Sequence, residues 1–209
     1  MLQSSSSHVA VADPPQGTAD PDGFLVNRTR AGEPAAFETL VERHQEVVLR
    51  VASRIVGDDD AADVAQDAFL RAFHRLDRFR GDAPFRSWLL RIAHNSALDT
   101  LAHRRATPSD FEHEHEQAGL ILNHRAARTP ADQLETTERR DRLKTKLRLM
   151  PEQHRVVLVL RDLEGLSYEE ISDITEAPLG SVKGRLHRAR NELIELLRAN
   201  TYDWELPDE

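Results

Sequence analysis

SYEEISDITEAPLGSVKGRLHRARNEL, residues 167–193, has the pattern of two helices joined by a short turn. Ser167 stands where a side chain can cap the first helix, and Glu170 follows three residues later, at the spacing of a capping box. A proline and a glycine in TEAPLG, residues 175–180, mark the turn. The second helix carries its apolar residues on one stripe, formed by Val182, Leu186, Leu193 and Leu197. This pattern predicts a helix-turn-helix.

The second of these helices is basic, although the whole chain has a formal net charge of -8 at pH 7. Lys183, Arg185, Arg188 and Arg190 follow one another with no acidic residue before Glu192. A solvated helix face often pairs such residues with acids four positions away, and this helix offers no such acid before Glu192 and Glu195. Small residues at its start allow a close approach to a phosphate backbone. We therefore predict DNA contacts from Ser181, Lys183, Gly184, Arg185, His187 and Arg188.

Another helical block precedes this one. Apolar residues recur at three- and four-residue steps through the segments 34–56, 58–81 and 85–105. In the middle segment, Phe73 and Phe79 belong to one apolar face. Three amphipathic helices with short connections form a small bundle, and no stretch alternates with the two-residue period of a strand. The predicted fold class is all-α, with two small helical domains joined by a flexible linker.

Composition sets the boundaries of these domains. The N-terminal residues are rich in Ser, Pro, Asp and Gly, which is typical of a disordered tail, and helical periodicity fails again between the two blocks. We expect a tail over 1–23, a first block over 24–106, a linker over 107–135, a second block over 136–200 and an acidic tail over 201–209. We expect no core to cross the linker, so the blocks should be separable by cleavage within it.

Several kinds of chemistry are not indicated by the sequence. The linker segment EHEHE, residues 112–116, has metal-binding side chain types, but no helix or strand fixes them, so we expect no metal site. The histidines are scattered, and we find no nucleophile elbow, phosphate-binding glycine loop or HExxH motif. The absence of cysteine excludes disulfides and thiolate zinc sites. We expect a chain that is not an enzyme and holds no cofactor.

The location of the chain is indicated by two further absences. The N-terminus has neither a basic start nor an apolar run of the kind found in an export signal. No stretch approaches the roughly 18 to 20 apolar residues that a membrane span requires. We expect no membrane insertion and a cytoplasmic location.

Two motifs together resemble a known family. The first is DVAQDAFLRAFHRLDRFRGDAPFRSWLLRIAHNSALD, residues 63–99, and the second is MPEQHRVVLVLRDLEGLSYEEISDITEAPLGSVKGRLHRARNEL, residues 150–193. Their order and separation resemble the bacterial RNA polymerase sigma factors of the extracytoplasmic-function (ECF) class, over roughly residues 24–198. In the turn, that family more often has a small residue and a glycine where Thr175 and Glu176 stand.

The resemblance implies a division of labour. The first block corresponds to sigma region two, which grips the polymerase clamp and reads the minus-ten promoter element. The second corresponds to region four, which reads the minus-35 element and touches the polymerase flap. The resemblance also implies core RNA polymerase and promoter DNA as partners, and an anti-sigma factor that holds the protein inactive.

The first block has residues suited to opened DNA. The loop RFRGDAPF, residues 78–85, lies between basic helices, where an unstacked base can be held by stacking and hydrogen bonds. The helix that follows can contact the upstream duplex edge. We predict minus-ten and upstream contacts from Arg78, Phe79, Arg80, Phe85, Trp88, Asn95, Asp99, Arg104 and Arg105.

An acidic helix start in the same block offers a docking face for polymerase. Acids at a helix N-terminus are stabilising, which accounts for Asp58, Asp59 and Asp60. That account does not extend to acids one turn or more inside the helix. We predict that the clamp contacts Asp63, Gln66, Asp67 and Arg71.

One other class of protein fits the second block. A stand-alone helix-turn-helix regulator would use the first block for ligand binding or dimerisation, but its basic and aromatic segment would then be unexplained. Because non-specific attraction grows with the number of phosphates neutralised, an acidic chain with local basic faces should bind DNA poorly when free. Polymerase would supply specificity by fixing the two blocks at the promoter spacing.

Overall fold

The structure is a computed structural model that describes residues 20–106 and 130–199, without the side chains of residues 130–138. Within these ranges the chain forms helices and turns and no strand. The first block contains α1 (Pro21–Arg30), α2 (Pro34–Val56), α3 (Asp58–His74), a 3₁₀ turn (Leu76–Arg78) and α4 (Phe85–Ala106). The second contains α5 (Pro130–Leu149), α6 (Glu152–Leu158) with a π-helical extension (Val159–Leu163), α7 (Tyr168–Thr175) and α8 (Leu179–Arg198). The all-α fold class is confirmed.

The first block is a bundle in which α2 packs against α3 and α4. The apolar stripe of α2 is fully buried at Leu40, Val48 and Ile55, and α4 contributes Phe85 and Leu89 to the same core. Apolar burial of this kind stabilises the bundle by about 25 cal/mol per Å² removed from water. The bundle fixes the loop between the 3₁₀ turn and α4, where the opened-DNA contacts are predicted.

The first block begins earlier than the sequence predicts. Residues 21–23, assigned to the disordered tail, form the first turn of α1, which Pro21 starts and the Asp20 side chain caps by accepting from the N–H of Asp22. The carboxylate of Asp22 is held by Arg43 at 2.5 Å and by Nε2 of His44 at 2.8 Å. Burial would raise the pKa of Asp22, but these two partners outweigh it and lower the pKa. Long-range pairing of this kind leaves no local signal in the sequence.

The middle helix of the bundle is shorter than predicted. α3 ends at His74, and the chain continues through the 3₁₀ turn rather than as one helix to residue 81. As a result Phe79 is buried, whereas Phe73 is 46% exposed and rests edge-on against the ring of Phe37 at 4.9 Å. The single apolar face expected to join Phe73 and Phe79 is therefore wrong.

In the second block, α6 packs against α8, and α7 packs against α8 and the π-helical extension. α5 begins at Pro130, inside the range 107–135 that the sequence assigned to the linker. The linker therefore ends before residue 135. The apolar stripe of α8 is buried at Val182 and Leu186, but Leu197, expected on the same stripe, is 50% exposed. Helix α8 runs beyond the residues that the other helices of the block cover.

The two blocks are in contact, which the sequence did not indicate. α4 packs on α7, and α2 packs on α5 and on the π-helical extension. Buried side chains of both blocks form one continuous cluster, so a core does cross between them in this arrangement. The sequence pattern missed this contact because many of its residues are charged, as at Arg155, whose Nη1 donates to the carbonyl of Ile55 at 2.5 Å.

No helix of the described residues is long and apolar enough to cross a membrane. No group of three or more His, Asp or Glu side chains in the same ranges is placed to hold a metal ion. The segment EHEHE, residues 112–116, both predicted tails beyond Asp20 and Ala199, and most of the linker lie outside the described residues.

Candidate nucleic-acid interface

The helix-turn-helix is built by local interactions that the sequence predicts. The Ser167 side chain accepts from the Glu170 N–H at 3.1 Å, and the Glu170 carboxylate accepts from the Ser167 N–H at 2.8 Å, so the capping box is confirmed. Glu176 ends α7 in a left-handed conformation, and Pro178 occupies the N-cap position of α8. These turns pack one face of α8 against α7 and leave the other face of α8 exposed to solvent.

The outward face of α8 carries the predicted DNA contacts. Lys183, His187 and Arg188 are exposed, and Ser181, Gly184 and Arg185 are partly exposed beside them. The Lys183 ammonium lies 5.5 Å from the Tyr168 ring, and Arg188 Nε donates to the Gly184 carbonyl within the helix at 3.2 Å. Both side chains therefore follow the helix surface and stay accessible.

Arg190 has a different role from the other basic residues of α8. Its guanidinium forms two hydrogen bonds with the carboxylate of Asp162, at 2.9 and 2.6 Å. The pair joins α8 to the π-helical extension within the second block. These two hydrogen bonds direct the guanidinium toward Asp162, and Arg190 is not among the predicted DNA contacts.

The loop of the first block opens onto a cavity of about 390 Å³. Its walls on the first block include Arg78, Arg80 and Trp88, all predicted to contact opened DNA. The opposite wall belongs to α7 and includes Glu170 and Asp173. The basic loop and the acidic side of α7 therefore face one another across the same space.

Two of the three aromatic residues predicted near an unstacked base lie in the core. Phe79 is 6% exposed and Phe85 is 1% exposed, and their rings pack nearly perpendicular at 5.6 Å. Neither ring can stack on a base in this arrangement. Trp88 packs on both rings but is partly exposed on the cavity. Of the three aromatic residues, it is the one whose ring a base can reach.

The residues of α4 that are predicted to contact upstream DNA differ in whether they already have a partner within the protein. Arg104 binds Asp60 at 2.6 Å and donates to the carbonyl of Val56, and Arg105 binds Glu152 of the second block at 2.7 Å. Asn95 and Asp99 are exposed on the same helix. Only part of this set is therefore presented directly to solvent.

The predicted polymerase face lies on α3. Asp63 and Gln66 are exposed, and Arg71 bridges Asp67 and Asp99 at 2.8 Å each. The bridge joins a residue assigned to polymerase with one assigned to upstream DNA. The sequence did not indicate that Leu70 and Phe73 on this helix are exposed, because their helical spacing is compatible with a core position.

Comparison with known proteins identifies the class. Residues 40–107 match the family model Sigma-70 region 2, and residues 140–193 match Sigma-70, region 4. The chain is 39% identical over 177 residues to the ECF RNA polymerase sigma-E factor of Escherichia coli (strain K12), covering 82% of this chain and 92% of that one. It is 36% identical over 189 residues to the RNA polymerase sigma-H factor of Pseudomonas aeruginosa, covering 87% and 96%.

Two solved structures are similar in fold. CnrH in complex with the cytosolic domain of CnrY matches with a TM-score of 0.63 and 31% identity, covering 86% of this chain and 99% of that one. The sigma factor RpoE in complex with the anti-sigma factor NepR from Bartonella quintana matches with a TM-score of 0.59 and 22% identity, covering 78% and 98%. The chain belongs to the sigma-70 family of RNA polymerase sigma factors. Within that family it belongs to the ECF class, as the two motifs predict.

Proposed function

We propose that this chain binds core RNA polymerase and directs it to a defined set of promoters. The first block reads the minus-ten element and helps to melt the DNA, and the second block reads the minus-35 element. The observation that carries the proposal is the outward face of α8, where Lys183, His187 and Arg188 are exposed on the second helix of a helix-turn-helix.

The second block is suited to the major groove. A helix of this width enters the groove, and the N-terminal half of α8 carries the long basic side chains that read guanine edges. Ser181 and Gly184 are small enough to let the start of the helix approach a phosphate. The Lys183 ammonium makes a cation–π contact with the Tyr168 ring, at 5.5 Å from its centroid, on the surface proposed to meet DNA.

The first block is suited to single-stranded DNA. Arg78 and Arg80 are exposed beside the cavity and supply phosphate contacts, while Trp88 supplies a partly exposed ring for a base. Holding one unstacked base offsets part of the cost of opening the duplex. Asn95 and the basic C-terminal end of α4 then follow the upstream edge.

Polymerase docks on both blocks in this proposal. The clamp contacts Asp63, Gln66, Asp67 and Arg71 on α3, with the exposed Leu70 supplying apolar area at the same surface. The flap contacts the second block. The chain itself catalyses nothing and needs no cofactor or metal, because RNA synthesis belongs to the polymerase, and it works in the cytoplasm.

An anti-sigma factor controls the chain in the same proposal. The relative of known structure that matches at 22% identity was solved with an anti-sigma factor, and the one at 31% identity with the cytosolic domain of CnrY. A partner that covers exposed apolar and basic faces of both blocks would block DNA and polymerase together.

Run-off transcription tests the proposal. Core polymerase is supplied with the wild-type chain, the Lys183→Ala/Arg188→Ala double variant, or no addition, on linear promoter fragments. We expect wild-type transcripts that are absent with core polymerase alone, and a loss of at least tenfold in the double variant. A wild-type chain that binds no polymerase and gives a symmetric footprint on DNA would instead identify a stand-alone regulator.

A further inference from the structure

A carboxylate of the second block is buried among arginines of the first. The Glu164 side chain is 2% exposed and accepts two hydrogen bonds from Arg50, both at 2.9 Å. It accepts another from Arg54 at 2.7 Å and one from Arg86 at 3.3 Å. All three arginines belong to the first block, on α2 and α4, whereas Glu164 follows the π-helical extension.

We propose that Glu164 is the centre of a latch that closes the second block onto the first, and that the closed chain cannot engage both promoter elements. This inference rests on the proposed function, since it concerns the two DNA-reading surfaces. Moving Glu164 away leaves three guanidinium groups close together without their shared acid. The cluster therefore favours the closed arrangement until a stronger set of contacts replaces it.

Further polar contacts cross the same boundary. The Ser87 hydroxyl donates to the Glu170 carboxylate at 2.6 Å, and Lys144 binds Asp58 at 3.0 Å. Burial would raise the pKa of Glu170, but the hydrogen bonds from Ser87 and from Ser167 outweigh it and lower the pKa. Charged and hydroxyl groups can regain water when the blocks part, so these polar pairs, unlike the apolar side chains that also meet at the boundary, allow the interface to open.

The closed arrangement brings together surfaces that the promoter holds apart. The hydrogen bond between Ser87 and Glu170 puts α4 in contact with α7. Elements named minus ten and minus 35 lie about 25 base pairs apart, which at about 3.4 Å each is about 85 Å along the duplex. A helix of 20 residues such as α8 spans only about 30 Å. Both elements can be read together only after the blocks separate.

The same contact shields the opened-DNA site. Glu170 and Asp173 of α7 form a wall of the cavity that Arg78, Arg80 and Trp88 line. Their carboxylates repel the phosphates of an entering strand and limit access to the Trp88 ring. By contrast, the DNA face of α8 is exposed in the closed chain. The latch therefore blocks the first block's site and leaves the second accessible.

The arrangement of the blocks can be measured with two spin labels, because the chain has no cysteine of its own. Gln45→Cys on α2 and Glu195→Cys on α8 place labels on exposed positions of the two blocks. Glu164→Gln is the test variant. Asp162→Asn is its matched control, because Asp162 belongs to the same helical extension but pairs with Arg190 inside the second block.

We expect one narrow distribution of label distances in the wild type and in Asp162→Asn, and an additional population at longer distances in Glu164→Gln. With limiting core polymerase, Glu164→Gln should give at least twofold more run-off transcript than Asp162→Asn. A second variant, Ser87→Cys/Glu170→Cys joined by a short bis-maleimide linker, should transcribe at least tenfold less than the same protein without linker.

The outcomes separate this inference from the proposed function. If the wild-type chain gives no transcript with core polymerase, the proposed function fails. If the wild-type chain transcribes, and the linked variant transcribes as well as the unlinked one, the latch proposal is overturned. Unchanged label distances in a folded Glu164→Gln variant would overturn it as well.

Discussion

Arg91 of α4 and Glu176, the residue that ends α7, form an ion pair at 2.5 Å across the boundary between the two blocks. The backbone of Glu176 has a φ of 51°, in the left-handed region that glycine adopts most readily. A glutamate thus stands at a position whose backbone conformation favours glycine. The ion pair gives this chain a contact that glycine could not make.

The conformation of Glu176 predicts different effects for two substitutions. Glu176→Ala and Glu176→Gly both remove the ion pair, but only glycine relieves the left-handed backbone. We expect Glu176→Gly to melt about 3 °C above Glu176→Ala in a thermal scan followed by circular dichroism. Equal melting temperatures would show that the turn is not strained at this residue.

Gly57 predicts a second backbone effect. It joins α2 to α3 with φ 101° and ψ 171°, a combination that essentially only glycine adopts. A Cβ there would also lie 2.6 Å from Nη2 of Arg148, which can move aside. We expect Gly57→Ala to lower the free energy of unfolding by about 1 to 3 kcal/mol, measured by urea denaturation.

Gly180 is the matched control for this change. It lies in the first turn of α8 and has open space around it, so Gly180→Ala should be neutral or slightly stabilising. Equal stability of Gly57→Ala and the wild type would contradict the required glycine conformation.

His94 predicts a dependence of stability on pH. Burial lowers its pKa from 6.5 to about 4, and nearby Glu176 only partly opposes this. Between these values the unfolded chain binds a proton that the folded chain does not. Stability is therefore fully present above about pH 6.5 and falls by about 3 kcal/mol as the pH drops toward 4.

The contribution of His94 can be separated from that of other groups. We expect His94→Gln to flatten the decrease in the free energy of unfolding between pH 6.5 and 4. His103→Gln changes an exposed histidine on the same helix and should keep the wild-type slope. An unchanged slope in His94→Gln would rule out burial of a neutral His94 as the cause.

The outward face of α8 predicts losses in promoter recognition. Arg188→Ala and Lys183→Ala should each weaken recognition of the minus-35 element by about 1 to 3 kcal/mol where the side chain makes a bidentate contact with guanine. Binding of core polymerase should not change. Arg198→Ala, near the end of the same helix, is the control, and transcription equal to wild type in both test variants would disprove this assignment.

The acidic face of α3 predicts a loss in polymerase binding. Asp67→Lys removes one of the two partners of Arg71 and places a like charge opposite any basic clamp surface, which can cost several kcal/mol at an interface. The fold should persist, because exposed substitutions usually change stability by about 0.5 kcal/mol or less. The measurement is affinity for core polymerase, with helix content and melting temperature as folding controls.

A matched charge reversal on another helix tests whether position matters. Glu38→Lys changes an exposed acid of α2 outside the proposed docking face, so its affinity for polymerase should stay near that of the wild type. Wild-type affinity in a folded Asp67→Lys variant would place the docking face elsewhere.

Local chemistry explains which features could be predicted from the sequence. The capping box of Ser167 and Glu170 joins residues three positions apart, and the basic face of α8 repeats at helical spacing, so both are visible in the sequence. Asp22 was assigned to a tail because its partners, Arg43 and His44, lie about twenty residues away.

Long-range contacts account for the rest. Glu164 is an ordinary charged residue in the sequence, and only the fold brings it to Arg50 and Arg54, more than a hundred residues earlier. Phe85 was expected to contact DNA because it ends the loop of residues 78–85 between basic helices, but α4 begins at this residue and its ring is buried in the core. Spacing along the chain cannot distinguish these outcomes, because they depend on which helices meet.

The central claim is that this chain selects promoters for core RNA polymerase, and mapping transcription start sites tests it most directly. Core polymerase transcribes total genomic DNA in vitro, with and without the chain, and the 5′ ends of the transcripts are sequenced. We predict a set of start sites that appears only with the chain and shares sequence elements near minus ten and minus 35. Identical start sites with and without the chain would contradict the account.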